Sequence, residues 1–133
     1  MANSNAPQYD IIIVGAGMVG AAAACLLAQS NTTKKVAPLK IALIESSVAT
    51  PFDADHFDPR VAAITEKSRQ ILTDCGVWQA VEKVRASPYL AMDVWDAEST
   101  GRIRFDCHDI HLPNLGHIVE SSVIVDMLLN KIA

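Results

Sequence analysis

The chain is predicted to be α/β, and three observations predict it. An apolar β-branched run, Ile11 to Val14, passes through a glycine-rich turn into an Ala-rich helical tract, and a second apolar run, Ile41 to Ile44, follows. That is the pattern of a strand, a helix and a neighbouring strand. Helix signals and alternating runs then continue to the end, where a plain β-α alternation would not place an antiparallel excursion. Composition agrees: 133 residues suit one domain, and 50% apolar against 20% charged residues excludes a disordered chain. The formal charge of −4 leaves no basic surface for nucleic acid.

Taken in order, Ile11 to Ala28 contains no polar side chain, long enough at 18 residues to raise the alternative of a membrane span. Its grammar opposes that reading. β-Branched residues come first, three glycines follow within six positions, and no aromatic or basic belt flanks both ends. Gly15, Gly17 and Gly20 form GxGxxG at the turn. Gly15 permits the sharp turn, Gly17 lets a pyrophosphate approach the backbone, and Gly20 lets the helix pack close to the strand. A helix starting near Gly17 would direct its free N–H groups and positive dipole end at that pyrophosphate. Ala24 continues the small-residue face one turn on.

GxGxxG alone is weak evidence, so context matters. A polar connection, Ser30 to Lys40, leads to the strand IALI and then Glu45, 25 positions after Gly20. About 20 are expected for the acid that accepts from an adenosine ribose hydroxyl, and the long connection accounts for the excess. A carboxylate there would repel a 2′-phosphate, favouring FAD or NAD over NADP. The competing account of Glu45 is a solvated charge at a strand end.

Downstream, Thr65 is placed to cap a helix from about Glu66 to Cys75, with Ile71, Leu72 and Cys75 on one face and Gly76 as its stop. An amphipathic piece, Val77 to Val84, closes at Ser87-Pro88. Leu90 to Trp95 and Ile103 to Phe105 alternate about the turn-rich AESTG, as a β-hairpin does. A strand near His117 to Val119 leads into a helix capped by Ser121 or Ser122, with Ile124, Met127, Leu128 and Ile132 inward.

VGAGMVGAAAA, IALIE, Asp58-Pro59-Arg60 with VAAI, LTDCGVWQAV, MDVWDAEST and LGHIVESSVI together resemble the flavin-dependent hydroxylases of ubiquinone biosynthesis. Val94-Trp95-Asp96 and LGHIVE point within them to the 2-polyprenylphenol hydroxylases that act on ring C5. The resemblance runs from Asp10 to Leu129. It implies the Rossmann-like FAD-binding domain of a class A flavoprotein monooxygenase, carrying an antiparallel hairpin. NAD(P)H would be the electron donor, and O2 and a polyprenylphenol the co-substrates. Gly15, Ala16, Gly17, Met18 and Gly20 would hold the FAD pyrophosphate and Glu45 the ribose. Arg60 would reach the FAD from a loop before the first long helix, its planar fork suited to phosphate or ribose oxygens. Its other reading is a surface ion pair with Asp58. No residue of the chain is assigned a catalytic role.

The chain departs from the family at several points. Ala16 replaces a frequent glycine, Ser121 stands where Asn is usual, and Asn31 lies where another glycine is common. Family members are about three times longer, beyond the range of a single core. The chain therefore reads as the front third of such an enzyme, residues 1–133 forming part of an FAD-binding domain, with the later FAD contacts and most of the substrate domain elsewhere. A noncatalytic dinucleotide-binding module and an NAD-dependent reductase are the alternatives.

Three cysteines without CxxC spacing read as reduced, buried thiols, and an N-terminus without Lys or Arg offers no leader signature. The expectation is a cytoplasmic protein, loosely attached to the inner membrane or to a biosynthetic complex if its substrate is lipophilic. Cys107-His108-Asp109-Ile110-His111 offers close ligand types but lacks a second cluster, and is expected to be loop without a metal.

Overall fold

A computed structural model describes residues 7–30, 37–47 and 51–133. The N-terminal leader reading, Asn31 and most of the Ser30 to Lys40 connection lie outside the described residues. β1 (Ile11–Val14), α1 (Met18–Ser30) and β2 (Ile41–Ile44) form the opening unit, with β2 parallel to β1 and Ile11 opposite Ile41. The strand, turn and helix expected within the apolar Ile11 to Ala28 are all present. No helix among the described residues is long and apolar enough to cross a membrane.

The remaining elements are β3 (Val61–Thr65), α2 (Glu66–Asp74), α3 (Trp78–Arg85), β4 (Ser87–Tyr89), β5 (Ala91–Trp95), β6 (Arg102–Asp106), β7 (Gly116–Glu120) and α4 (Ser121–Ile132). β3, β7 and β4 form an antiparallel sheet with β7 in the middle. β5 and β6 pair as the expected hairpin, Ala91 opposite Asp106 and Trp95 opposite Arg102.

The termini of α2 follow from its sequence. Thr65 accepts from the Ser68 N–H at the N-cap, as expected. At the other end Gly76 adopts φ +74°, its N–H reaching the Thr73 carbonyl while Val77 reaches that of Leu72. These two bonds form a Schellman stop, which needs a left-handed residue at that position.

VAAI, next to Arg60, is strand β3, paired along its length with β7. α3 closes before Ser87-Pro88 as expected, and that pair begins edge strand β4, where proline is tolerated because the outer N–H side needs no partner. Two expectations require correction. Neither Ser121 nor Ser122 is the N-cap of α4, because Glu120 holds that position and the Ser121 N–H donates to the Arg60 carbonyl at 2.9 Å. Cys107–Ile110 is a one-turn 3-10 helix rather than loop, capped by Asp106, which accepts from the His108 N–H. That bond, with His108 Nδ1 and Arg104 beside it, holds the Asp106 carboxyl down at about 2.

The core forms where α1, α2, α3 and α4 meet the β3-β7-β4 sheet. Ala21, Cys25, Leu72, Trp78, Val81, Val119, Val123, Ile124 and Leu128 are among its buried members. All three cysteines are free and buried. Burial pushes the Cys75 thiol up to about 12, with Cys25 beside it adding to the shift, so it is a packing residue and not a nucleophile. On the hairpin, Met92, Val94, Ile103 and Phe105 share one exposed apolar face, while Asp93, Arg102 and Arg104 pair on the other.

Leu128 is fully buried between α4 and the rest of the core. Leu128→Ala should therefore destabilise the protein by about 2–5 kcal/mol, seen as a lower urea midpoint at unchanged m-value.

Candidate functional site

β1 ends against α1 in a very short turn. Gly15 takes φ +97°, disfavoured for any residue with a Cβ, and its N–H donates to the Ile44 carbonyl at 2.8 Å. Gly20 is two residues into α1, directly over that turn. A Cβ there would lie 1.9 Å from the Gly15 carbonyl oxygen, so only glycine permits this approach. At Gly17 a Cβ would meet nothing within 4 Å. The backbone is thus bare and open where α1 begins, and the first N–H groups of a helix have no intrahelical acceptors.

This turn forms one wall of a cleft of about 650 Å³. Ala16, Gly17 and Met18 line it from the turn, Glu45 and Ser47 from the end of β2, Phe57, Asp58 and Arg60 from the segment before β3, and Ser122 from the start of α4. The residues singled out in the sequence therefore meet around one space, with Gly15 and Gly20 shaping its wall from behind.

Glu45 is more engaged than a solvated strand-end charge. Its Oε2 accepts from the Ala16 N–H at 2.7 Å, and its Oε1 accepts from the N–H groups of Ser46 at 2.7 Å and Ser47 at 3.3 Å. These bonds, Ala16 foremost, hold its carboxyl below the ordinary carboxylate value. The carboxylate thereby ties the end of β2 to the glycine turn.

Arg60 forms the ion pair with Asp58 that was one reading of it, its Nε 3.4 Å from Asp58 Oδ1 and its side chain 80% exposed, and it also lines the cleft. Asp58 Oδ1 also accepts from the Arg60 N–H at 2.9 Å, the main cause of a lowered Asp58 carboxyl.

Sequence reasoning missed the group that carries this segment. Arg85, at the end of α3, donates to Glu120 and to the carbonyls of Ala54 and His56, and lies over the Phe57 ring. Glu120 also accepts from the Asp58 N–H. The one available signal was a glutamate closing an otherwise apolar strand within LGHIVE. Nothing local in VRAS marks Arg85. Elsewhere, ligand atoms of Asp106, Cys107 and His108 lie within 4.8 Å of one another, but the Asp106–His108 bonds that cap the 3-10 turn already explain the cluster.

The chain shares its fold with part of larger solved proteins, among them a flavin-dependent monooxygenase. Pseudomonas aeruginosa PqsL, solved as a mutant, superposes with a TM-score of 0.65 at 16% identity, over 95% of this chain and 31% of that one. The flavin-dependent monooxygenase PieE, solved with FAD and substrate, gives 0.64 at 16% identity, over 96% and 22%.

By sequence, the chain is homologous to the monooxygenases of ubiquinone biosynthesis. It is 36% identical over 126 residues to the ubiquinone biosynthesis monooxygenase COQ6 of Xenopus tropicalis, covering 93% of this chain and 26% of the relative. It is 38% identical over 120 residues to the 3-demethoxyubiquinol 3-hydroxylase of Escherichia coli, covering 90% and 29%. Human COQ6 is 32% identical over 126 residues. The chain thus spans little more than a quarter of the length of the curated relatives it matches. No family model matches it.

Two outcomes follow from the geometry. Gly20→Ala should force α1 away from β1 and destabilise the protein, measured as a lower urea midpoint. Glu45, whose carboxyl is lowered on folding, contributes stability that is present above the ordinary carboxylate value and lost as pH falls through the lowered one. Glu45→Gln should therefore remove part of the loss of stability seen as pH falls through that window, measured by denaturation at a series of pH values.

Proposed function

We propose that this chain is the part of an FAD-dependent aromatic-ring monooxygenase that holds the ADP moiety of FAD, and that the enzyme hydroxylates a polyprenylphenol intermediate of ubiquinone biosynthesis. One observation carries the reading. The open, Cβ-free backbone at Gly17 faces a cleft that Glu45 and Arg60 also line.

The residues present fit the group. Ala16, Gly17 and Met18 would approach the pyrophosphate through the start of α1, with Gly15 and Gly20 making that approach possible. Glu45 would accept from the adenosine ribose. Oε1 is occupied by Ser46 and Ser47, but Oε2 accepts from the Ala16 N–H and has a second lone pair for a hydroxyl. Arg60 would add a cation opposite the helix start. When bound, the flavin supplies the redox and oxygen chemistry, while these residues bind and orient it.

The antiparallel β3-β7-β4 sheet and the hairpin support FAD over NAD, because an NAD-binding domain would continue in β-α alternation. NAD(P)H is the proposed electron donor, O2 the co-substrate, and loose attachment to a membrane or a biosynthetic complex the proposed setting.

The purified protein should show a flavin absorption spectrum and release FAD on denaturation. Release of NAD, or no flavin after reconstitution with FAD, would overturn the reading. Glu45→Ala should weaken FAD retention by about 1–3 kcal/mol, the scale of charge-assisted hydrogen bonds, and unchanged retention would remove Glu45 from the site.

A further inference from the structure

Phe52 to Arg60 contributes one wall of the cleft, yet it contains neither helix nor strand and has no backbone ladder of its own. Asp53 and Asp58 bond locally within it, and its anchors to the packed elements come from outside. Glu120 is the one buried charged residue among the described residues, 5% exposed, and its two oxygens are divided. Oε2 accepts from the Asp58 N–H at 2.7 Å, and Oε1 accepts from Arg85 Nη1 at 2.9 Å.

The Arg85 guanidinium completes the arrangement. It donates to the His56 carbonyl at 3.1 Å and to the Ala54 carbonyl, and lies 4.0 Å from the Phe57 ring centroid and 5.2 Å from that of Phe52. Next to Glu120, the Ser121 N–H takes the Arg60 carbonyl at 2.9 Å. The Arg60 side chain is anchored on Asp58 Oδ1, and the backbone of Asp58 is what Glu120 grips.

We propose that Arg85 and Glu120 are positioning residues for nucleotide binding, fixing the Phe52 to Arg60 segment so that the Arg60 cation faces the glycine turn. Buried ion pairs are poor sources of net stability, because desolvation offsets their attraction, but a planar fork with fixed partners sets direction well. Lysine carries the same charge and cannot reproduce donation to a carboxylate and two carbonyls from one plane.

The inference rests on the proposed nucleotide site, and the test separates the two. Trypsin cleavage after Arg60 reports the segment without any ligand. Arg85→Lys should speed that cleavage severalfold while the melting temperature of the whole protein stays close to wild type. Glu120→Gln, which keeps the shape and removes the charge, should act in the same direction. Unchanged cleavage in both variants overturns the inference.

ADP binding by the protein stripped of flavin then supplies the second readout. Arg85→Lys should weaken it roughly tenfold, the scale of a displaced charge-assisted hydrogen bond. In an Arg60→Ala background the same change should have no further effect. An equal loss in both backgrounds would contradict action through Arg60. Wild-type protein that fails to bind ADP would sink the nucleotide-site reading instead, leaving the cleavage result to decide the positioning of the segment.

Discussion

The first turn of α1 rests on the end of β1 with no side chain between them. A methyl group at position 20 would sit 1.9 Å from the Gly15 carbonyl oxygen, and the wall of the cleft built by β1, α1 and β2 depends on this contact being allowed. It brings the open N-terminal end of α1 level with the end of β2, so Glu45 can reach the Ala16 N–H. It also seats α1 so that Ala21 and Cys25 join the core that α4 completes. One backbone contact thus sets both the packing of the helix and the direction of its free N–H groups.

The opposite wall is held by different physics. The segment before β3 has no repeating backbone pattern, so it borrows order from a buried carboxylate and a guanidinium on two packed elements. Arg85 ends α3 and Glu120 ends β7, and both elements are anchored by core residues, Val81 and Val119. The cleft therefore joins a wall built from glycine geometry to a wall built from charge. The two are tied through the sequence neighbours of Glu120, whose following residue starts α4 against α1.

This difference explains what could be read from the sequence. Gly15, Gly17 and Gly20 announce themselves because their spacing states a local geometric need, and Glu45 follows at the end of the next apolar run. The α2 termini are equally local: Thr65 and Gly76 behave as their residue types dictate. β3 was hidden because VAAI is short and lies directly against Arg60 on one side and a helix on the other. Its strand character comes from pairing with β7, about 55 residues away, which no local pattern encodes. Ser121 and Ser122 look like caps by type, but the cap position went to Glu120, whose partners Asp58 and Arg85 are distant in sequence. Long-range ion pairs of this kind leave no periodic trace.

The central claim is that the glycine turn, Glu45 and Arg60 form one nucleotide site. The most direct test follows the backbone amide signals of the flavin-free protein by two-dimensional NMR while ADP is added. The account predicts saturable shifts concentrated at Ala16, Gly17 and Met18, at Glu45 to Ser47 and at Arg60, with the hairpin of β5 and β6 unaffected. Shifts confined to other surfaces, or none at the glycine turn at saturating ADP, would contradict it.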